Sequence, residues 1–561
     1  MYMLLSCASN IGKKIIPIDH IAKISKRKPW RAPPRLTVQP WQSNKPTASA
    51  RMAKRPGPDQ VALHDNHDFG VECMNSQRNF YLFIIATIAV LGFGLILPPT
   101  VSMVLSSAFF AAITWFKPKW IMPLLILYFP VRPFLVEINS GLKLAGDLAI
   151  LVLVIVVLYH ALKKKDIKSI FQLEIYEWAY LAFCVVGAIS ALITGVSPTA
   201  IIFQLRKFLT MYLLFYGIKR LSWTSQDFTT IAKVIVGVGV VLSLHGFVEK
   251  LSQRNWLLPD AWVDMFVSQA NADRIYGLIG NPNSMGLYMI IAIMVTFMLL
   301  RTTNDKRWYI ALSLFVGTML LTYSRGTFLG FLIAGAVYLA LSKRWIILKQ
   351  LAIATIAGLI LVYLPIDFAD QALENAGVEQ SDGVKGESSD DNGGLAGRFN
   401  NKEEIERSSN SGRVFFVKKG FEIFMDYPII GTGFGTFGDS AALVYSSPIY
   451  EDYGIAGIYD YLDKDFYSDN QYIQIIVQTG AVGVILFAIF LLNMAYRIWQ
   501  LRPTNKAVAN ATIALWLFTS LVGVVYNIWE NQVFPMFVFA IIAWVETIKQ
   551  GKTVSVPGDN N

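Results

Sequence analysis

The sequence predicts an all-α polytopic transmembrane bundle of about 12–14 spans, with one large extracytoplasmic loop domain. Three observations predict it. Of 561 residues 54% are hydrophobic and only 16% charged, where a soluble chain is about one quarter charged. The charges are clumped, leaving apolar runs of the roughly 17–25 residues that a bilayer core demands of a helix. Lys and Arg also recur in every second short connection between those runs, as expected of the inward-facing loops of a membrane protein.

The runs give fourteen candidate segments: 80–97, 99–116, 120–136, 144–162, 176–194, 199–217, 231–249, 284–301, 307–323, 325–341, 346–364, 472–496, 506–526 and 530–548. Basic connections hold Lys117 and Lys119, Lys163 to Lys165, Lys219-Arg220, Arg301 with Lys306 and Arg307, Lys343-Arg344, and Arg497 with Arg502 and Lys506. Both termini are therefore expected on the cytoplasmic side. The domain plan is a basic tail at 1–75, spans one to eleven within 76–364, an outer loop at 365–471, spans twelve to fourteen within 472–548, and a cytoplasmic tail at 549–561.

The net charge of +10 does not indicate nucleic acid as a partner. Residues 1–73 carry 12 Lys/Arg against 5 Asp/Glu, and this segment is rich in Pro and polar residues without a periodic apolar face, a composition that suits disorder. Met74 stands directly before the first apolar run and offers an alternative start. The three cysteines build neither a disulfide framework nor a metal motif. No phosphate-binding loop, HExxH helix or nucleophile elbow is present.

Two outer segments are long, 250–283 and 365–471. In the second, 376–411 reads as a flexible acidic insert rich in Gly, Ser and Asn. Apolar positions 414, 417, 421 and 424 then follow helical spacing, and Asp426-Tyr427-Pro428 ends that helix. A glycine-rich turn, Gly431 to Gly435, follows and is a weak candidate for anion binding.

Charged residues in or beside spans are costly, at least about 2.5–3.5 kcal/mol for a central arginine. Four arginines fall on the outer side of the map: Arg206 within span six, Arg274 before span eight, Arg325 in the tight turn between spans nine and ten, and Arg413 at the start of the loop helix. Snorkelling or structural ion pairing is the alternative for each one singly. Spans six, eight, ten and twelve also point their amino termini outward, where free N–H groups favour an anion. Asn283 can cap span eight, and Ser468-Asp469-Asn470-Gln471 reads as a capping box for span twelve. Arginines beside helix amino termini suit a phosphate or diphosphate. His245 in span seven is a candidate acid or base, or a satisfied buried histidine. Asp469 is a second candidate, or a first-turn helix acid, and Glu249 and Glu530 are weaker ones.

These residues resemble the O-antigen ligase and polysaccharide polymerase superfamily of bacterial membrane glycosyltransferases. The resemblance is carried by Arg274-Ile275-Tyr276-Gly277-Leu278-Ile279-Gly280-Asn281-Pro282-Asn283 and by Leu321-Thr322-Tyr323-Ser324-Arg325-Gly326. It continues in Gly412-Arg413 leading to Asp426-Tyr427-Pro428 and Gly431 to Gly435, then in Asp469-Asn470-Gln471-Tyr472 leading to Gln478-Thr479-Gly480. It covers roughly 180–530. It implies metal-independent transfer of a glycan, with no cofactor, from a polyprenyl diphosphate carrier to a glycan or lipid acceptor, outside the bacterial inner membrane. Arg206, Arg274, Arg325 and Asn283 would hold the diphosphate. Arg325, Arg413 and Asp469 would serve catalysis, with Asn470, Tyr472 and His245 in support. Many ligases of the family look like His-Asn where this chain has Asp469-Asn470. That departure favours a polymerase of O-antigen, exopolysaccharide or capsule repeats over a ligase. A flippase or other polytopic transporter is the alternative from another class.

Overall fold

A computed structural model describes residues 77–265, 267–378, 381, 384–385, 413–456 and 467–550. The tail at 1–75, most of the 376–411 insert and most of the carboxyl tail lie outside the described residues. In chain order the helices are α1 (Gln77–Ile96), α2 (Pro99–Phe116), α3 (Ile121–Tyr128), α4 (Arg132–Ile138), α5 (Ala145–Lys163), α6 (Ile167–Phe171) and α7 (Ile175–Ile193). Next come α8 (Pro198–Ile218), α9 (Ser225–Leu251), α10 (Asp260–Val263), α11 (Gln269–Ala272), α12 (Pro282–Thr303), α13 (Trp308–Leu321) and α14 (Arg325–Ser342). The last are α15 (Ile346–Gly358), α16 (Leu364–Asn375), α17 (Arg413–Asp426), α18 (Ser440–Tyr445), α19 (Gln471–Gln500), α20 (Lys506–Val522) and α21 (Val533–Lys549). A two-residue parallel pairing of Val267–Ser268 with Val384–Lys385 is the strand content among the described residues.

Every one of the fourteen predicted segments coincides with a helix. Ten helices among the described residues are long and apolar enough to cross a membrane, and an eleventh arises if the bent pair at 118–138 counts as one span. That pair, the predicted third span, is broken by 69°. Helices α13 and α20 are apolar but shorter, because the chain turns early into polar loops at 322–324 and 523–532. The helix of the predicted eleventh span does not stop at 364 but runs on through a π-turn to Asn375, so the first residues of the predicted outer segment are helical.

Helix α12 lies innermost, with 83% of its apolar window buried against 17% for α14. It is apolar on all faces, as a helix enclosed by others must be. Several charges at helix ends are paired. Lys119 meets Asp227 at 3.1 Å, Lys219 meets Glu177, and Arg497 bridges Glu174 at 2.7 Å and Glu546 at 2.5 Å. Each pair lies at a basic-loop end of its helix.

The loop helix α17 forms where its spacing predicted, but with another face inward. Phe416, Gly420 and Ile423 are buried against Ile473 and Val477 of α19, while Val414 and Phe421 remain about half exposed. The reason is Gly420. A Cβ there would sit 2.4 Å from the Ile473 side chain, so this is where the two helices come closest.

The glycine-rich turn has a structural task. Residues 428–434 run between α7 and α19, and the amides of 432–434 are spent on helix carbonyls. Thr432 N donates to Val477 O at 2.9 Å, Gly433 N to Gln478 O at 2.8 Å, and Phe434 N to Gly187 O at 3.0 Å. Helix α19 breaks to receive them. Gly480 has φ 57° and ψ −162°, and Ala481 N and Val482 N donate to Pro428 O and Ile429 O. The Phe434 ring then fills the space over Gly187, among Phe183 and Phe208. These amides are not available to an anion.

Candidate functional site

The cleft is assembled from three chain turns. Asn281 is the residue that caps α12, accepting from the amides of Asn283 and Ser284 at 3.0 Å each, with Pro282 in the first turn. This corrects the expectation that Asn283 is the cap. Asn283 is free of that duty, and its Oδ1 accepts from Arg274 Nη2 at 2.9 Å and from Ser324 Oγ at 2.9 Å. Arg274 spends its other edges on Thr322 O at 2.9 Å and Asn271 Oδ1 at 3.3 Å.

The turn after α13 is equally fixed. Tyr323 adopts φ +50°, and its hydroxyl donates to Asp367 of α16 at 2.9 Å. Arg325 then opens α14 as an exposed residue. Gly286 lets this turn approach, since a Cβ there would lie 3.3 Å from Thr322 Oγ1. Together Arg274, Asn283, Ser324, Arg325, Thr327 and Arg413 line one polar cleft of about 510 Å³ including its open mouth. Asn271, Tyr323 and Tyr526 complete its polar wall.

Asp469 stands beside it, with Oδ2 3.3 Å from Arg413 Nη2. It takes φ +46°, because Asn470, not Ser468, caps α19 and accepts from the Tyr472 and Ile473 amides at 3.1 Å each. The predicted capping box is thus a single Asn cap, which leaves Asp469 turned toward Arg413. Desolvation pushes the Asp469 carboxyl up, and the Arg413 and Arg274 charges pull against it. The side chain is 38% exposed, so the carboxylate keeps access to a proton acceptor or donor in the cleft.

The remaining predicted residues lie elsewhere. Arg206 does not line the cleft; it pairs with Asp147 of α5 at 3.0 Å. His245 contacts Leu257 O at 2.9 Å through Nε2 and packs edge-on to Phe134. Tyr472 braces α19 on α20, donating to Ser520 O at 2.7 Å with its ring against Gly523. Glu249 is buried and holds the 274–283 loop, accepting from Gly277 N at 2.6 Å, Tyr276 N at 3.1 Å and Arg254 at 2.7 Å.

Sequence reasoning missed Asp439. It is fully buried, accepts from the Gly435 and Ala442 amides at 2.7 Å each, and caps α18. Its signal was a polar residue directly before a short apolar run. Near it lies buried Glu530, which accepts from Ser440 N at 2.9 Å and from the Ser440 hydroxyl and Gln474. Burial, and then the Glu530 charge, push Asp439 from 3.8 up to about 7. The folded chain therefore holds a proton that the unfolded chain has released between those two values. The stability this contributes is complete below 3.8, falls as pH rises, and is gone above about 7. Comparing thermal unfolding of wild type and Asp439→Asn should show an extra decline in wild type between about pH 5 and 7. Identical slopes in the two proteins would refute it.

Bundle and cleft together define a multi-pass α-helical membrane protein with a cationic cleft at one end of its helices. Residues 309–488 match the family model described as Wzy_C, O-Antigen ligase, in line with the resemblance read from the sequence. The matched region contains Arg325, Arg413, the glycine turn and Asp469; Arg274 and Asn283 precede it. No curated protein matches the chain.

Proposed function

We propose that the chain is a glycosyltransferase of the bacterial inner membrane. It would transfer a glycan from a polyprenyl diphosphate to an acceptor hydroxyl at the outer face. The observation that carries this reading is the convergence of Arg274, Arg325 and Arg413 on one cleft, beside the amino termini of α12 and α14. Three guanidinium groups and two positive helix ends match the charge of a diphosphate, both bound and as a leaving group. The family match supports glycan transfer as the chemistry.

In this reading the cleft opens outward and both termini are cytoplasmic, since the basic loops lie at the opposite helix ends. The acceptor hydroxyl attacks the anomeric carbon, and the carbon–oxygen bond to the diphosphate breaks. Asp469 takes the hydroxyl proton, and the arginines stabilise the departing diphosphate. A raised carboxyl is the better base near neutral pH. Arg206, paired 3.0 Å from Asp147, is left out of this mechanism. Polymerisation of repeats is favoured over ligation because an aspartate stands where many ligases have histidine.

The test is complementation of a deletion strain. Arg325→Ala and Arg413→Ala should both be expressed and inserted yet abolish surface glycan, with lipid-linked glycan accumulating. Asp469→Asn should do the same. Normal surface polymer in both arginine variants would sink the proposal. Accumulated single repeats would identify a polymerase, and accumulated long polymer a ligase.

A further inference from the structure

A second cavity borders the same loop. Its enclosed volume is about 340 Å³, at the lower end of the roughly 300–1,000 Å³ of small-molecule sites. Arg132, Lys143, Arg254, Trp262, Tyr276 and Glu137 line it, and none of its lining residues lines the arginine cleft. The 274–283 loop serves both. Arg274 and Asn283 face the cleft, while Tyr276, Ile279 and Gly280 wall the second cavity.

Its walls are built. Arg132 is fixed by Gln532 Oε1 at 2.8 Å and by Lys143 O at 3.0 Å. Arg254 is 3% exposed, stacks over the Tyr276 ring at 4.4 Å, and pairs with Glu249 at 2.7 Å. Its Nε is buried without a hydrogen-bond partner. Arg254 is held there by left-handed backbone, φ +64°, flanked by Gln253 at +53° and Leu257 at +57°. Three such non-glycine residues within five positions are strain retained by the surroundings. Trp262 lies against Gly280, where a Cβ would meet its ring at 2.7 Å. Its half-buried indole thus forms an apolar wall beside cations.

We infer that this cavity binds an anionic sugar residue of the glycan. A pyranose offers an apolar C–H face to the indole and a hydroxyl rim to polar groups. Three cations against one lining acid, with Arg254 already offset by Glu249, favour a carboxylate-bearing sugar over a neutral one. The inference rests on the glycan-transfer reading and narrows its substrate to acidic glycans.

The full chain in phosphatidylcholine nanodiscs is titrated calorimetrically with trigalacturonate, and separately with maltotriose. Trigalacturonate should bind, weaken with salt, and lose about tenfold or more in affinity in Lys143→Ala and in Trp262→Ala, the size of one lost charged or stacking contact. Lys143 is exposed and Trp262 half-exposed, so both variants should fold. Arg325→Ala should leave this binding unchanged. Equal binding of maltotriose, or unaltered affinity in both cavity variants, overturns the inference. So does displacement of trigalacturonate by glycerol phosphate at matched ionic strength, which would assign the cavity to a lipid headgroup. Absent binding alongside abolished glycan assembly in Arg325→Ala defeats this inference alone. Intact binding alongside normal assembly in Arg325→Ala and Arg413→Ala defeats the transferase reading instead.

Discussion

Gly433→Ala should prevent accumulation of folded protein, while Gly195→Ala should be tolerated. Both glycines have positive φ, +94° and +79°, so both substitutions carry the left-handed penalty of roughly 1–2 kcal/mol. They differ in space. A Cβ on Gly433 would lie 2.0 Å from Ala191 N and 2.1 Å from its Cα, both backbone atoms of α7. Nothing lies within 4 Å of a Cβ on Gly195. Backbone cannot rotate away, so the turn would have to withdraw from between α7 and α19. Withdrawal would unmake the amide bonds to Val477, Gln478 and Gly187 and lift Phe434 from its site. Overpacking of a tight interior adds about 1–3 kcal/mol before those losses are counted. Fluorescence-detected gel filtration of the two variants measures the contrast. Equal recovery would mean that the turn is not held between the helices.

Arg274→Lys should abolish glycan assembly nearly as fully as Arg274→Ala. The guanidinium does two jobs that one ammonium cannot combine. Its Nε, Nη1 and Nη2 reach Thr322 O, Asn271 and Asn283 in three directions, which ties the α12 entrance to the turn bearing Arg325. A lysine keeps the charge but loses the fork. Loss of one preorganised donor at a developing oxyanion costs about 10²–10³ in rate, and a displaced Arg325 would add to it. Arg206→Lys, by contrast, keeps a cation beside Asp147 outside the cleft, and surface glycan should remain. Glycan profiles and expression of the three variants check this. Full activity of Arg274→Lys would show that charge alone is needed there.

Much of this architecture was legible in the sequence because its signals are local. Apolar runs and alternating basic loops located fourteen segments, each of which coincides with helical chain. The cost of membrane arginines drew attention to Arg274, Arg325 and Arg413. What was not legible depended on tertiary contact. The inward face of α17 is chosen by Gly420 meeting Ile473, which spacing at 414, 417, 421 and 424 could not reveal. The glycine turn was a weak candidate for anion binding because positive φ serves both uses, and only its partners on α7 and α19 decide between them. Arg206 carried the same unusual cost as the others, but Asp147, some sixty positions away in sequence, answers it. Asn281 and Asn283 are both plausible caps in sequence, and exchanging them decides which asparagine reaches the cleft.

The most direct test of the central claim is reconstitution. Purified protein in proteoliposomes, given a glycan on polyprenyl diphosphate and an acceptor glycan or lipid, should release polyprenyl diphosphate and form the transferred product without added nucleotide sugar. Arg274→Ala and Arg325→Ala should form none. If wild type leaves donor and acceptor chemically unchanged while moving the lipid-linked glycan between leaflets, the protein is a transporter and the account is contradicted.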